Sequence, residues 1–339
     1  MFVEEVTKWY KINKRELPWR DTKNPYIIWL SEIILQQTRV EQGLPYFYKF
    51  TERYKSVTEF ADASEDEILK LWQGLGYYSR ARNMHATAKI IKTEYNGVFP
   101  CNYETLLKLK GIGEYTAAAI SSFSSNEKHA VVDGNVYRLL SRYFGIETAI
   151  DSTLGKKQFK KLAYDLLETA EPFIYNQAVM EFGAIQCKPA SPLCEKCPLR
   201  LNCYAYNHNQ VDKLPVKEKK TKVKERFFNY LVIKDNDSYL LNKRVAKDIW
   251  QNMYDFPLIE TSDRVTEDEL IQHVHFENFK KNGKLYIKSV SEEKKHVLSH
   301  QIIYARFWEI SLENVLFDSL NSVFWVGENE MEQYAFPKL

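Results

Sequence analysis

The chain has 339 residues, 45 % of them hydrophobic and 14 % aromatic, with a formal net charge of +2. That length argues for two domains with real cores, and the small net charge excludes affinity for nucleic acid through total charge, leaving local patches and aromatic stacking surfaces. The start, MFVEEVTKWYKINKREL, lacks the apolar run of a signal peptide and no stretch has transmembrane length, so no membrane partner is expected and a cytoplasmic location is.

The first ~205 residues read as almost entirely helical. Glu32 lies in YIIWLSEIILQQ, a helical stretch that is apolar all round and therefore buried. A buried acid has a raised pKa and stays protonated, which suits a general acid; an arginine or backbone groups satisfying the same Glu fit the spacing equally well. Ser64-Glu65-Asp66-Glu67 is a capping box for a helix that stops at Gly74. A further helix is predicted over 79–94, and Asn102 caps one predicted over 104–110. Then comes LKGIGEYTAAAI, a Gly-Ile-Gly turn leading into a helix that begins near Tyr115. Such a turn exposes backbone N–H groups that suit a phosphate.

Asp133 follows the apolar run AVV and precedes NVYRLLSRYF. Its position fits a helix N-cap, and equally an exposed, ionised carboxylate at a helix start with Asn135 as a polar partner. One buried acid and one exposed carboxylate form the pairing that cleaves glycosidic bonds. Two more helices are predicted over 155–170 and 175–185, separated near Pro172.

Five cysteines do not make a disulfide scaffold, and four of them fall in Cys187-x6-Cys194-x2-Cys197-x5-Cys203. One Cys-x2-Cys pair and two single cysteines in one compact loop suit a [4Fe–4S] cluster, whereas zinc sites more often use two such pairs. Lys188, Lys196 and Arg200 lie among these ligands and suit phosphate contact.

Residues 213–226, KLPVKEKKTKVKER, read as a basic, exposed linker. Strands are predicted after it over 227–234, 238–244, 284–290 and 296–311, with a short helix over 266–275. The predicted organisation is a helical domain over 1–207, a linker over 208–226 and an α+β domain over 227–339.

LPWR (17–20), WLSEIILQQTRV (29–40), LWQGLGYYSRARN (71–83), LKGIGEYTAAAI (109–120), VVDGNVYRLLSR (131–142) and the cysteine loop together resemble the MutY adenine DNA glycosylases of the helix-hairpin-helix superfamily, which includes endonuclease III. The resemblance implies an all-α glycosylase domain with an iron–sulfur loop and a C-terminal Nudix-like domain. It implies a monomeric enzyme acting on double-stranded DNA that holds 8-oxoguanine:adenine or guanine:adenine mispairs, with adenine flipped into a pocket. Glu32 would protonate adenine, Asp133 would stabilise the sugar cation, and Tyr115 and Asn135 would complete the polar shell. Leu17, Trp19, Arg20 and Gln177 would line the adenine pocket. Gln37 and Tyr77 would enter the base stack beside 8-oxoguanine, and Gly111 and Gly113 would hold the phosphate-binding hairpin. Bifunctional members carry a nucleophilic lysine where this chain has Tyr115, so strand cleavage is expected to be weak or absent.

In the second domain, Leu298-Ser299-His300 resembles the family's Phe-Ser-His loop, with Leu in place of Phe, and implies that Ser299 and His300 contact 8-oxoguanine. Residues 245–285 lack the carboxylate array of a hydrolytic Nudix helix, which implies a binding domain. A thymine or uracil mismatch glycosylase and a non-catalytic cluster protein are the competing classes.

Overall fold

The computed structural model describes residues 1–218, 223–280, 284–313 and 323–339. The chain folds into two units, 1–62 with 83–219 and 63–82 with 220–339.

The first unit is helical. It begins with α1 (Phe2–Asn13), α2 (Pro25–Leu35), α3 (Val40–Arg53) and α4 (Val57–Asp62). After α5 (Glu65–Trp72), which belongs to the second unit, come α6 (Ser79–Glu94), α7 (Tyr103–Leu106), α8 (Glu114–Ser125), α9 (Gly134–Phe144), α10 (Thr153–Leu167), α11 (Pro172–Glu181) and α12 (Tyr204–Asn207). Asn24 accepts from the Tyr26 N–H and Pro25 sits at the first turn, so α2 starts where its orphan donors are capped. Val6 and Tyr10 of α1 share a core with Leu139 and Leu140 of α9, Phe159 of α10, and Ala178 and Val179 of α11. Each large apolar side chain buried this way contributes about 1.5–3 kcal/mol.

The helix predicted over 104–110 is one turn long. Asn102 caps it, accepting from the Thr105 N–H at 2.8 Å, but the Lys108 and Leu109 N–H groups bond three residues back, to Thr105 and Leu106. This tighter winding ends the helix ahead of Gly111. After α11 the helix widens into a π-turn over Phe182–Gln186, and the Cys187 N–H closes on the Phe182 carbonyl at 2.8 Å.

The second unit has a mixed sheet: β1 (Lys224–Asp235), β2 (Ser238–Lys243), β3 (Tyr254–Asp255), β4 (Leu258–Thr261), β5 (Lys284–Val290), β6 (Lys294–Val297), β7 (Gln301–Glu313) and β8 (Val323–Gly327). The main path runs β3-β2-β1-β7-β5; β4 pairs β1, β6 pairs β7 and β8 pairs β2. β1 and β7 run parallel, Phe227 beside Tyr304 and Tyr230 beside Phe307. Helices α13 (Glu267–Ile271) and α14 (Val274–Lys280) supply Leu270 and Phe276 to a core with Leu231, Ile259 and Trp308.

Two expectations of organisation change. The strand predicted over 296–311 is two strands, β6 and β7, turned at residues 298–300 by a bond from the Leu298 N–H to the Gln301 carbonyl. Only part of the predicted linker is a tether. Leu214 is 3 % exposed and its carbonyl accepts from Arg142, the Val216 carbonyl accepts from the Ile150 N–H, and 224–226 open β1; residues 219–222 lie outside the described residues. Separately, residues 63–82, which the predicted boundaries place in the helical domain, pack with 220–339. The reason is polar: Asp66 of α5 accepts from Lys243 at 3.1 Å and Tyr254 at 3.0 Å, Glu65 from Asn252 at 2.5 Å, and Lys70 donates to the Tyr334 carbonyl.

Candidate active site

Glu32 lies on α2 among side chains that are buried on every face, and is itself 8 % exposed. Burial raises its pKa to about 7, the hydrogen bond from Tyr115 opposes the rise, and the charge of Asp133 adds to it. Tyr115, in the first turn of α8, donates to Glu32 Oε2 at 2.8 Å. Two sequence segments more than eighty residues apart therefore meet at one carboxyl group.

Asp133 is the N-cap of α9. Its Oδ1 accepts from the Asn135 N–H at 2.9 Å and the Val136 N–H at 2.8 Å, and its Oδ2 from the Asn135 side-chain amide at 2.7 Å. The cap and the polar partner foreseen at Asn135 are both present. Asp133 is not exposed as expected but partly buried, and burial raises its pKa, while the three hydrogen bonds and Arg138 pull it back.

Arg138, buried on α9, continues inward from Asn135. It donates to Asn135 Oδ1 at 2.8 Å, to the Gly183 carbonyl at 2.6 Å and to the Cys187 carbonyl at 2.7 Å. One turn on, Arg142 donates to the carbonyls of Leu214, Lys188 and Pro189 and approaches Cys187 Sγ at 3.5 Å. Asp133 is thus joined through Asn135 and Arg138 to the first cysteine of the loop. Sequence reasoning missed both arginines; their i, i+4 spacing one and two turns into the helix that Asp133 caps was the available signal.

Cys187, Cys194, Cys197 and Cys203 line one pocket with Leu139, Phe182, Leu199 and Arg142. Burial pushes the Cys197 thiol up to about 12. Among the described residues no three ligand side chains converge closely enough to hold a single ion. A set of four thiols around one largely apolar pocket fits the chemistry of a thiolate-ligated cluster. Of the cations between these cysteines, Arg200 is paired with Glu195 at 2.9 Å.

Arg20 does not stand free. It donates to Glu181 Oε2 at 2.5 Å and to the Arg15 carbonyl, and Arg15 holds the same carboxylate through Nε and Nη2, each at 2.8 Å. Burial would raise the pKa of Glu181, but the two arginines outweigh it and hold it at about 2. Gln177, one helical turn before Glu181, accepts from Tyr10 Oη at 2.8 Å. Leu17 is buried and Trp19 packs edge-on against Phe47 at 4.9 Å. Glu181 is a further residue that the sequence did not single out.

Gly111 has φ +76°, and a Cβ there would meet Asn83 Cβ at 2.8 Å. Both the backbone and the neighbour demand glycine. Gly113 has open space around it and caps α8 with its backbone alone. Gln37 and Tyr77 are exposed and share a left-handed backbone, φ 57° and 47°. A non-glycine residue held there stores strain that functional sites commonly carry.

Tyr77, in the second unit, has its hydroxyl 2.5 Å from Ser299 Oγ. Both line a cleft of about 750 Å³ together with His300, Trp250 and Gln251. In the same unit, Glu269 bonds back to Thr266 as part of a capping box, which occupies one of the clustered acids of 267–269. Residues 281–283 of the stretch lacking a carboxylate array lie outside the described residues.

Residues 30–164 match the HhH-GPD superfamily base excision DNA repair protein family, and 229–339 match the NUDIX domain family. The chain is 34 % identical over 345 aligned residues to an adenine DNA glycosylase of Buchnera aphidicola subsp. Baizongia pistaciae, covering 99 % of this chain and 94 % of that protein. The chain belongs to the adenine DNA glycosylase family. A second member, from Buchnera aphidicola subsp. Schizaphis graminum, is 40 % identical over 79 % of this chain and 77 % of its own. Among solved structures, a thermostable thymine-DNA glycosylase superposes on 61 % of this chain and 95 % of its own, with TM-score 0.56 and 31 % identity. Within the family, this chain is a helical domain carrying the Glu32–Tyr115 pair, followed by a Nudix-like domain.

Proposed function

We propose that this chain is a monofunctional glycosylase of base excision repair that hydrolyses the N-glycosidic bond of adenine mispaired with 8-oxoguanine or guanine and leaves an abasic site. The observation that carries the reading is Glu32: a carboxyl group held near neutrality by burial, oriented by Tyr115, and set in one site with Asp133. At pH 7 about half of such groups hold their proton, so Glu32 can give it to the departing base. Asp133, with hydrogen bonds to both oxygens, is oriented to face the positive charge that develops on the sugar. Water then adds to the sugar carbon that the base has left, and its surplus proton restores the protonated Glu32.

The Gly111–Gly113 turn would hold a phosphate of the strand that carries the adenine, while Leu17, Trp19 and Gln177 would wall the adenine pocket. Arg20 acts there through Glu181, shaping the wall rather than meeting the base. Tyr115 offers no amine, so a Schiff base cannot form at this position and strand cleavage is weak or absent. Cys187, Cys194, Cys197 and Cys203 would hold a [4Fe–4S] cluster, which when bound cross-links the loop and brings one-electron redox capacity. Tyr77, Ser299 and His300 would read 8-oxoguanine in the opposite strand, and Gln37 would enter the base stack. The reading includes a monomer acting in the cytoplasm; no described helix is long and apolar enough to cross a membrane.

The likeness to a thymine-DNA glycosylase favours a second reading, removal of thymine from guanine:thymine pairs. It covers 61 % of this chain, whereas the adenine DNA glycosylase of Buchnera aphidicola subsp. Baizongia pistaciae aligns with 99 % of it. One assay separates the two: purified protein is incubated with 8-oxoguanine:adenine and guanine:thymine duplexes, each analysed with and without alkali. Cleavage of the adenine strand only after alkali is the expected result. An intact adenine strand overturns the reading, and cleavage without alkali overturns the monofunctional assignment.

A further inference from the structure

The cleft that holds Tyr77 and Ser299 has an uneven charge. Among its described lining residues Asp248 is the only acidic side chain. That charge is already matched: Asp248 accepts from Arg226 at 2.9 and 3.2 Å and from Arg244 at 2.5 Å. Arg82 is likewise engaged, donating to the Gln251 carbonyl at 2.8 Å.

Two cations on the cleft lining differ. Lys247 and Lys338 are exposed and no ion pair with a described side-chain carboxylate holds either; Leu339, whose terminal carboxylate follows Lys338, also lines the cleft. Other lysines of the same unit do have acid partners: Lys243 binds Asp66 and Lys234 binds Glu328, at 3.1 and 3.0 Å. A cleft of about 750 Å³ has the volume of a small-ligand site, enough for one nucleotide. An ammonium group is a compact point charge with no acceptor, so it distinguishes bases poorly and meets anions well. The only fixed anion on a DNA strand is its phosphodiester.

We propose that Lys247 and Lys338 form a phosphate clamp, each taking a phosphodiester of the strand whose base is received by Tyr77 and Ser299. The clamp rests on the lesion-recognition reading of this cleft. It assigns separate tasks: the lysines set affinity and register, and Ser299 and Tyr77 set base preference, because phosphate contacts position and base contacts specify.

The test is duplex binding by the whole protein between 50 and 200 mM KCl. The probes carry 8-oxoguanine or guanine opposite a tetrahydrofuran abasic analogue, which cannot be cut, and an undamaged duplex serves alongside. The double variant Lys247→Ala/Lys338→Ala is expected to flatten the slope of log K against log salt by about 1.8, about 0.9 for each phosphate released. Lys247→Arg/Lys338→Arg should keep the parent slope. The preference for 8-oxoguanine over guanine should stay within about twofold in both variants, whereas Ser299→Ala should reduce it. An unchanged slope in the alanine variant overturns the clamp, as does equal flattening in the arginine variant or a lost base preference. A parent that binds both probes equally overturns the lesion reading instead, while the slope on undamaged duplex still decides the clamp.

Discussion

The Tyr115 hydroxyl and Glu32 Oε2 stand 2.8 Å apart, so the residue that follows the Gly-Ile-Gly turn is the hydrogen-bond partner of the buried acid of α2. The bond favours the charged form of Glu32 and holds its pKa below the value that burial alone would set. Tyr115→Phe should therefore raise the Glu32 pKa by about one unit, the worth of a charge-assisted hydrogen bond of ~1.5 kcal/mol. The active form is the protonated acid, whose activity falls as pH rises through about 7. A single-turnover pH profile should show that fall displaced to higher pH in Tyr115→Phe. A basic limb that does not move argues against the assignment. Glu32→Gln should lower the rate by about 10²–10⁴-fold below pH 7, the usual share of a general acid, and should abolish the basic limb, so that the deficit narrows as pH rises above about 7.

Arg138 spans from Asn135, the partner of Asp133, to the carbonyl of Cys187. Arg138→Gln removes charge-assisted bonds to three acceptors and should cost about 2–3 kcal/mol in denaturant unfolding. Excision should fall along with absorbance near ~410 nm per mole of protein, the band of an all-cysteine [4Fe–4S] cluster. Lost stability with normal excision and normal cluster content would show Arg138 to be a packing element alone.

Glu181 is buried and bound by Arg15 and Arg20, and its pKa is lowered from 4.5 to about 2. A carboxylate with a depressed folded pKa stabilises the fold fully above its unfolded value, and that contribution is lost as pH falls from about 4.5 towards 2. The size is about 3 kcal/mol at neutral pH. Glu181→Gln should lower stability by about that amount at pH 7 and by much less near pH 2.5. Urea unfolding at the two pH values measures the difference, and an equal loss at both would contradict the ion-pair account.

Gly111 and Gly113 should respond differently to alanine. At Gly111 the added Cβ faces both a positive φ and Asn83 at 2.8 Å, so Gly111→Ala should cost about 1–2 kcal/mol and weaken duplex binding several-fold. At Gly113 the space is open, and Gly113→Ala should leave stability within about 1 kcal/mol. Thermal unfolding with duplex binding of the two variants compares them directly.

Much of this protein is legible in one dimension because its signals are local. The capping box at Ser64, the caps at Asn102 and Asp133, the cysteine spacing and the all-round apolar stretch holding Glu32 each depend on a few neighbouring residues. The switch from helical to alternating patterns after the basic segment likewise announced two architectures. The turn that splits β6 from β7 was missed because residues 298–300 have no strong turn composition, and the register of β7 against its neighbours fixes the break.

What only the tertiary structure decided are relations between distant side chains. Glu181 carries no local mark, and its role exists because α11 brings it beside Arg15 and Arg20, more than 160 residues earlier in the chain. The assignment of 63–82 to the second unit depends on Asp66 meeting Lys243 and Tyr254. Asp133 read as a cap from sequence, and it is one; that it also lies partly buried at the end of a hydrogen-bonded path to Cys187 required α9 to be packed. Caps and periodicity follow from bonds a few residues long. The pKa of a carboxylate follows from everything that surrounds it, and sequence order does not state those surroundings.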